Sequence, residues 1–264
     1  MTSTQTWPVS IVGAGPGDPE LMTVKSVRLL QEADVVVYAG SLLSPEVLAL
    51  LRPETLRYDS AVMVLEEIVE TMVNAAKSGK RVVRLASGDP GIFGALGEMA
   101  QPLIASGLDV EIVPGVSSFL AAAATLGREL TVPEAVQTVI LTRAEGRTPM
   151  PETERLSELA RHRATLILFL SANLVKQVQA DLLTGYTADT PIAVVYRASW
   201  PDERVVTGVL SDLVTIVRQA GITKTALIFI GRFLNVQGTR SRLYDAAFSH
   251  GYRKAVAPSE AKPS

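Results

Sequence analysis

The sequence contains no cysteine and only two histidines among its 264 residues. Without cysteine the chain can form no disulfide bond, no thiolate nucleophile and no metal site with sulfur ligands. His162 and His250 are too few for a metal site built from several histidines. We therefore expect no bound metal.

An excess of basic residues and long apolar runs are also missing. The 25 basic and 27 acidic residues give a formal net charge of −2. This balance argues against nucleic acid as a partner, because proteins that bind it normally carry a basic excess or a basic stripe. No apolar run is long enough to cross a bilayer, so we expect no membrane partner. Residues 1–8 lack the basic and apolar regions of a signal peptide, which predicts a soluble, cytoplasmic protein.

Apolar residues, by contrast, are abundant, and at 47% of the chain they are enough for a globular core. Short apolar runs alternate with amphipathic helical patterns through the first half, which is typical of a mostly parallel α/β sheet. In the second half, Pro201-Asp202 between two apolar runs predicts a hairpin and therefore a mixed sheet. We predict two α/β domains, at 1–126 and 127–250, followed by a polar, disordered tail at 251–264.

Three loops rich in glycine and proline follow predicted strands. They are Gly13-Ala14-Gly15-Pro16-Gly17-Asp18-Pro19, Ser87-Gly88-Asp89-Pro90 and Pro114-Gly115-Val116-Ser117-Ser118. Each loop has a purely structural interpretation: a tight strand-to-helix turn, a strand-to-turn connection and a helix N-cap, respectively. However, open α/β sheets bind their ligands at the carboxyl ends of the strands. Three such loops therefore favour a shared ligand cleft.

The first loop is not a dinucleotide-binding fingerprint, although it begins with glycines. That fingerprint requires a third glycine where Asp18 stands, and Pro16 and Pro19 interrupt the start of the helix. The second strand ends in Tyr38-Ala39-Gly40, without the carboxylate that would bind a ribose. The chain also lacks the Gly-x-x-x-x-Gly-Lys-Ser/Thr motif of phosphate-binding loops. We therefore reject both motifs.

As a set, the three loops resemble those of the tetrapyrrole methylases, which are S-adenosylmethionine-dependent enzymes with two α/β domains and an active site between them. Two further segments, residues 142–150 and 195–203, resemble the precorrin-4 C11-methyltransferase branch of that family, which acts in cobalamin biosynthesis. The resemblance extends from about residue 9 to about residue 233. It implies a small tetrapyrrole substrate, S-adenosylmethionine as cofactor with S-adenosylhomocysteine as its product, no metal, and a homodimer.

The resemblance also implies which residues form the site. Cofactor contacts fall on small residues, a few apolar ones, one aspartate and several hydroxyls, which are Pro16, Gly88, Asp89, Ile92, Ser117, Ser118, Leu170, Ala198, Thr225 and Ala226. Substrate contacts fall on aromatic residues, one serine and the arginines that suit the carboxylates of a tetrapyrrole, which are Tyr38, Ser41, Arg143, Arg147, Arg197 and Trp200. For each arginine, a surface ion pair is the alternative role.

One departure from the family pattern concerns catalysis. Several relatives carry an aspartate in the loop after the second strand, and Gly40 stands at that place here. We therefore assign no catalytic base.

Three alternative functions stay open. One is a paralogous methylase that acts at another tetrapyrrole position or on cobalt-precorrin-4. Another is a ribosomal RNA methylase of the same fold, which the net charge of −2 does not favour. The third is a nucleotide-binding module without catalytic activity.

Overall fold

The computed structural model describes residues 7–236, 245 and 247–255. The chain divides into two compact units, of which the first comprises Met1–Gly127 and Val195–Val205. The second unit comprises Arg128–Val194 and Val206–Ser264. The domain boundaries that we drew from the sequence stay a prediction, and residues 256–264 of the predicted tail lie outside the described residues.

The first unit contains a five-stranded sheet. Its strands are β1 (Val9–Gly13), β2 (Val35–Tyr38), β3 (Leu56–Asp59), β4 (Val82–Ala86) and β5 (Val110–Val113). They lie in the order β3-β2-β4-β1-β5, and every neighbouring pair is parallel. The prediction of a mostly parallel sheet in the first half is therefore confirmed.

Helices cover both faces of this sheet. They are α1 (Val24–Glu32), α2 (Pro45–Leu48), α3 (Leu65–Lys77), α4 (Leu96–Ala105) and α5 (Ser118–Thr125). Leu30 of α1 packs in a buried cluster with Val36 and Val83, whereas Met72 of α3 and Leu103 of α4 belong to a second cluster. Alternate residues of each strand thus serve opposite layers, as the two-residue period of a strand requires.

The strand order creates a switch point at β1 and β4. The connection from β1 to β2 passes β4, and the connection from β4 to β5 passes β1 in the opposite direction. In open α/β sheets the chain leaves a crevice at the carboxyl ends of the strands where such connections diverge, and ligands bind there. The topology therefore points to the loops after β1 and β4, with the loop after β5 beside them.

The second unit is built on a mixed sheet. Its strands are β6 (Val139–Arg143), β7 (Thr165–Phe169), β8 (Pro191–Tyr196), β9 (Arg204–Val209) and β10 (Ala226–Ile230), in the order β6-β7-β10-β8-β9. Its helices are α6 (Leu156–Ala160), α7 (Val175–Leu182) and α8 (Leu213–Gln219). Because β6 and β7 are parallel and β7 and β10 are antiparallel, the predicted mixed sheet is confirmed. Within the described part of the chain, no helix is both long and apolar enough to cross a membrane.

Tyr186 provides a test of this second core. Its buried hydroxyl donates a hydrogen bond of 2.7 Å to the carbonyl oxygen of Ala164. Burial raises the pKa of Tyr186 above its ordinary value. The phenol therefore ionises at a lower pH in the unfolded chain than in the folded one. The stability that it contributes is complete below about pH 10 and is lost as the pH rises above that value.

We predict that Tyr186→Phe lowers the melting temperature at pH 7 and flattens the loss of stability above about pH 10. The substitution leaves the Ala164 carbonyl without its donor, which costs about 1–3 kcal/mol. Thermal melting between pH 7 and pH 11 measures both effects, and Tyr252→Phe, at a fully exposed tyrosine, is the matched control. Parallel pH profiles for Tyr186→Phe and the unsubstituted protein would contradict the prediction.

Candidate functional site

The loops after β1, β4 and β5 meet at three glycines. A Cβ atom on Gly115 would lie 2.1 Å from the carbonyl oxygen of Gly88, and one on Gly13 would lie 2.5 Å from the amide nitrogen of Gly115. Distances this short leave no room for any side chain, so backbone meets backbone at this point. Gly15 and Gly88 also exchange backbone hydrogen bonds of 3.2 and 2.8 Å. The structure thus brings the three predicted loops together at the switch point.

Asp89 links two of these loops. Its Oδ2 accepts a hydrogen bond of 2.9 Å from the amide of Gly115, and its Oδ1 accepts one of 2.8 Å from the amide of Gly91. Gly88, which precedes it, has a φ of +64° and lets the chain turn sharply. Each carboxylate oxygen has a second lone pair left for a ligand. Asp89 is therefore at least an anchor between the loops, and its contact with a cofactor stays a prediction.

Two serines, Ser117 and Ser118, follow β5 in the third loop. Ser117 is buried at the N-cap position of α5, yet its side chain makes no capping hydrogen bond. Among the described residues, we find no hydrogen bond to the hydroxyl of Ser117 or of Ser118. A simple N-cap role therefore does not account for these two hydroxyls, which leaves both groups available to a ligand in the crevice. Ile92, also predicted to contact the cofactor, is half-buried in the neighbouring β4 loop.

The turn Val195–Val205 forms hydrogen bonds to the β1 loop. The indole Nε1 of Trp200 donates a hydrogen bond of 2.9 Å to the carbonyl oxygen of Pro16. The amide of Asp18 donates one of 3.1 Å to the hydroxyl oxygen of Ser199. Pro16 and Trp200 were both predicted to contact ligands, and these bonds show that they also contact each other. Ala198, a predicted cofactor contact, is buried in the same turn.

This turn is strained and internally braced. Arg197 and Ser199 have φ angles of 48° and 67°, a left-handed conformation that is uncommon for residues with side chains. Oε2 of Glu203 accepts hydrogen bonds of 2.6 Å from the amide of Ser199 and 3.0 Å from the hydroxyl of Thr125. Such strain persists only where surrounding contacts enforce it, and it concentrates at functional sites. The sequence reasoning missed Ser199 and Glu203 as structural supports of the site.

Arg197 is engaged by its own neighbours. Its Nη1 forms an ion pair of 2.7 Å with Oδ2 of Asp202, and its guanidinium lies 4.7 Å from the ring centroid of Trp200. Its side chain is 29% exposed, and its buried Nε has no hydrogen-bond partner among the described residues. The structure therefore shows the alternative that we considered for this arginine, an ion pair, and its contact with substrate stays a prediction.

The remaining cofactor candidates share one edge of the second unit's sheet. Leu170 follows β7, is 66% exposed and has a φ of 52°, and Thr225 precedes β10 with a φ of 53°. The antiparallel register pairs Leu168 with Ile228, so its continuation by two residues places buried Ala226 opposite Leu170. Arg143 ends β6 beside Phe169 at the same edge. The structure thus groups these candidates within the second unit.

Arg143 and Arg147 differ in whether their guanidinium groups are hydrogen-bonded. The guanidinium of Arg143 donates hydrogen bonds to the carbonyl oxygens of Thr148 at 3.2 Å and Pro149 at 3.0 Å, which fixes its own loop. Arg147 is exposed, and we find no ion pair or hydrogen bond to its guanidinium among the described residues. Both arginines line a groove together with Leu170 and Gln177. Arg147 is therefore the guanidinium that is available to an anionic ligand.

A polar cluster lies at the carboxyl ends of β2, β3 and β4. The carboxylate of Asp59 accepts hydrogen bonds from the amides of Ala61 at 2.9 Å and Gly40 at 3.0 Å. These two bonds hold the pKa of Asp59 below its ordinary value, and the positive charge of Arg84 adds to the effect. Burial in turn lowers the pKa of Arg84. The sequence reasoning missed Asp59, although an aspartate at the end of a strand was a usable signal.

The two predicted substrate contacts on β2 border this cluster. Tyr38 ends β2 half-buried, and its carbonyl oxygen accepts a hydrogen bond of 3.0 Å from the hydroxyl of Ser60. Ser41 is exposed on the short turn that follows. Both residues therefore lie at the same edge of the sheet as the three glycine-containing loops.

Two relatives match almost the entire chain, and a family model described as tetrapyrrole (corrin/porphyrin) methylases matches residues 8–214. The cobalt-precorrin-4 C(11)-methyltransferase of Methanocaldococcus jannaschii is 52% identical over 249 residues, which cover 94% of this chain and 96% of that protein. The precorrin-4 C(11)-methyltransferase of Pseudomonas aeruginosa is 46% identical over 246 residues, which cover 93% and 98% of the two chains.

Two solved structures of methyltransferases are also similar to this chain. The X-ray structure of a cobalt precorrin-4 methyltransferase, a cobalamin biosynthetic enzyme, superposes with a TM-score of 0.84 and 50% identity, covering 86% of this chain and 96% of that chain. The uroporphyrin-III C-methyl transferase of Thermus thermophilus, complexed with S-adenosylhomocysteine, has a TM-score of 0.73 and 33% identity, covering 86% and 99%.

We predict that Asp89→Ala destabilises the first unit and weakens binding of S-adenosylmethionine. Its two hydrogen bonds fix the β4 and β5 loops, and loss of a bond to a charged group costs about 1.5–3 kcal/mol. Asp89→Asn, which keeps one acceptor oxygen, should have a melting temperature and a cofactor affinity between those of Asp89→Ala and the unsubstituted protein. Thermal melting and calorimetric titration measure the two effects, with Asp109→Ala at an exposed carboxylate as the control. An unchanged melting temperature in Asp89→Ala would contradict the anchoring role.

Proposed function

Because the chain belongs to the tetrapyrrole (corrin/porphyrin) methylases, we propose that it methylates precorrin-4 at C-11 to give precorrin-5 in cobalamin biosynthesis. The family resemblance inferred from the loops is thereby confirmed. The observation that carries the proposal is the 46–52% identity, over more than nine-tenths of this chain, to relatives named for C-11 methylation. A family member named for another tetrapyrrole, uroporphyrin III, is only 33% identical. This difference in identity favours the C-11 reaction.

S-adenosylmethionine, when bound, would supply an electrophilic methyl group on a sulfonium. The chain's own residues fit such a molecule, because its carboxylate, ammonium and ribose require both donors and acceptors. The hydroxyls of Ser117 and Ser118 offer both, and they make no hydrogen bond within the described protein. Gly88 lies beside them and carries no side chain, so a ligand could approach the backbone there.

We assign the cofactor to the positions that the resemblance implies. Gly88, Asp89 and Ile92 would border it in the β4 loop, and Pro16 and Ala198 would do so through the β1 loop and the turn that contacts it. Leu170, Thr225 and Ala226 are proposed as cofactor contacts of the second unit. Left-handed φ angles at Leu170 and Thr225 support the assignment, since strained backbone concentrates at binding sites.

The protein's contribution to the reaction is mainly positional. A carbon nucleophile of the substrate would attack the methyl carbon and displace the thioether sulfur when the reacting atoms are held close and in line. Positioning of this kind can supply about 7–11 kcal/mol of the barrier. The residues that border the crevice would therefore act by binding, orienting and excluding water, and the proposal requires no nucleophilic side chain.

We assign the substrate carboxylates to arginine forks, above all to Arg147. A guanidinium binds a carboxylate through two parallel hydrogen bonds. Arg143 and Arg197 already bond to their own loops, so they can offer only their remaining N–H groups. Tyr38, Ser41 and Trp200 are proposed as further contacts to the macrocycle. The homodimer and the cytoplasmic location implied by the resemblance stay predictions.

Incubation with methyl-labelled S-adenosylmethionine tests the function. We expect a label at C-11 when precorrin-4 is the substrate, located by carbon-13 NMR of the product. Cobalt-precorrin-4 is a parallel sample, because relatives named for both forms match the chain. A label at another position, or on the cobalt form alone, would overturn the proposal as stated. No label on any tetrapyrrole and no bound cofactor would favour the non-catalytic module.

We predict that Arg147→Ala raises the Michaelis constant for the tetrapyrrole about tenfold, because one charge-assisted hydrogen bond contributes about 1.5–3 kcal/mol. The constant for S-adenosylmethionine should not change. Arg161→Ala is the matched control, since this exposed arginine pairs only with Glu158 at 3.2 Å among the described residues. Steady-state kinetics with each ligand varied in turn measures both constants. An unchanged Michaelis constant for the tetrapyrrole would show that Arg147 does not contact the substrate.

A further inference from the structure

Asp59 presents a fixed, exposed carboxylate at the carboxyl edge of the first sheet. It ends β3, and its Oδ1 accepts hydrogen bonds from two amides, of Ala61 two residues on and of Gly40 on the neighbouring loop. Beneath it, Nη1 of Arg84 donates a hydrogen bond of 3.0 Å to Ser60 Oγ, which in turn donates to the carbonyl oxygen of Tyr38. The carboxylate is therefore held in one orientation.

The absence of a side chain at Gly40 makes room for this carboxylate. A Cβ atom at position 40 would lie 2.3 Å from Oδ2 of Asp59, and its three nearest heavy atoms all belong to Asp59. The backbone at Gly40 does not itself require glycine, because its φ angle is not positive. What Gly40 permits is thus the position of the Asp59 carboxylate, and Oδ2 accepts no hydrogen bond from the described residues.

From this geometry, we propose that the Asp59 carboxylate accepts a hydrogen bond from a pyrrolic N–H of the tetrapyrrole and stabilises the positive charge that methylation places on the macrocycle. The inference rests on the proposed function, because it requires a tetrapyrrole at this edge of the sheet. Tyr38, a proposed substrate contact, pairs with Asp59 in the register of β2 and β3, and Ser41, another, follows Gly40, whose amide bonds to the carboxylate.

The charge balance of the reaction explains the need for such a group. The bond between the methyl carbon and sulfur breaks, sulfur keeps the electron pair, and the ring carbon uses a pair of its own to form the new carbon–carbon bond. The positive charge thereby passes from the sulfonium to the macrocycle, which becomes neutral when an N–H proton leaves to solvent. A fixed anion next to the N–H group stabilises this charge as it develops.

Asp59 is better suited to this electrostatic role than to proton removal. Two amide hydrogen bonds and the nearby Arg84 stabilise its ionised form, which lowers its pKa. A general base works best with a pKa near the working pH, and a carboxylate with a lowered pKa is a weak base. The same charge also repels the carboxylates of the substrate and so favours a pose in which an N–H group faces Asp59.

The test compares Asp59→Asn with the unsubstituted enzyme and with Asp109→Asn. Asparagine keeps an oxygen that can accept from Gly40 and Ala61 but removes the charge, whereas Asp109 is an exposed carboxylate at the opposite edge of the sheet. We expect Asp59→Asn to lower kcat about 100-fold and to weaken tetrapyrrole binding in an absorbance titration. Affinity for S-adenosylhomocysteine should match that of Asp109→Asn.

Gly40→Ala supplies an independent variant that displaces the carboxylate without removing it. Gly40→Ala should also lower kcat. The double variant with Asp59→Asn should be no slower than Asp59→Asn alone, because both substitutions act on one group. A normal kcat and normal tetrapyrrole affinity in Asp59→Asn would overturn the inference, as would a lowered melting temperature with normal kinetics. Should the unsubstituted enzyme methylate neither form of precorrin-4, the proposed function fails, and the titration alone then decides whether Asp59 binds tetrapyrrole.

Discussion

Backbone contact among Gly13, Gly88 and Gly115 is the constraint on which the carboxyl edge of the first unit depends. No side chain fits between these residues, so the loops after β1, β4 and β5 must reach the same point. This part of the carboxyl edge is consequently formed by backbone groups and small side chains. Gly88 adopts a left-handed conformation there, and Asp89 secures the arrangement through hydrogen bonds to two amides. A rigid platform of this kind can position a ligand without a large polar side chain.

Within each unit, several polar side chains that were predicted to contact a ligand already have partners among the described residues. Arg143 and Arg197 bond to their own loops, and Trp200 bonds to Pro16. Among the described residues, hydrogen-bonding capacity is left unused at Ser117, Ser118, Arg147 and Oδ2 of Asp59. These groups are therefore the candidate ligand contacts, and the bonded groups are the supports. Burial and hydrogen bonding separate the two roles where residue type alone does not.

The sequence predicted the class of both sheets, the three loops and the family, because strand runs and glycine-rich turns leave local patterns. It did not predict β3, since all four residues of this strand are exposed and show no apolar alternation. Asp59 was missed with it. The partner of Trp200 was equally out of reach, because the bond joins residues 184 positions apart.

That long separation has a consequence for synthesis on the ribosome. The first unit takes its last piece, Val195–Val205, from beyond most of the second sheet, so it cannot be completed when residue 127 has emerged. At about 5–20 residues per second, the 184 residues between Pro16 and Trp200 take about 9–37 s to synthesise, and the β1 loop waits that long for the indole. During this interval the carbonyl of Pro16 and the amide of Asp18 remain open to water or to a chaperone. Completion of the first unit is thus tied to the translation of most of the second.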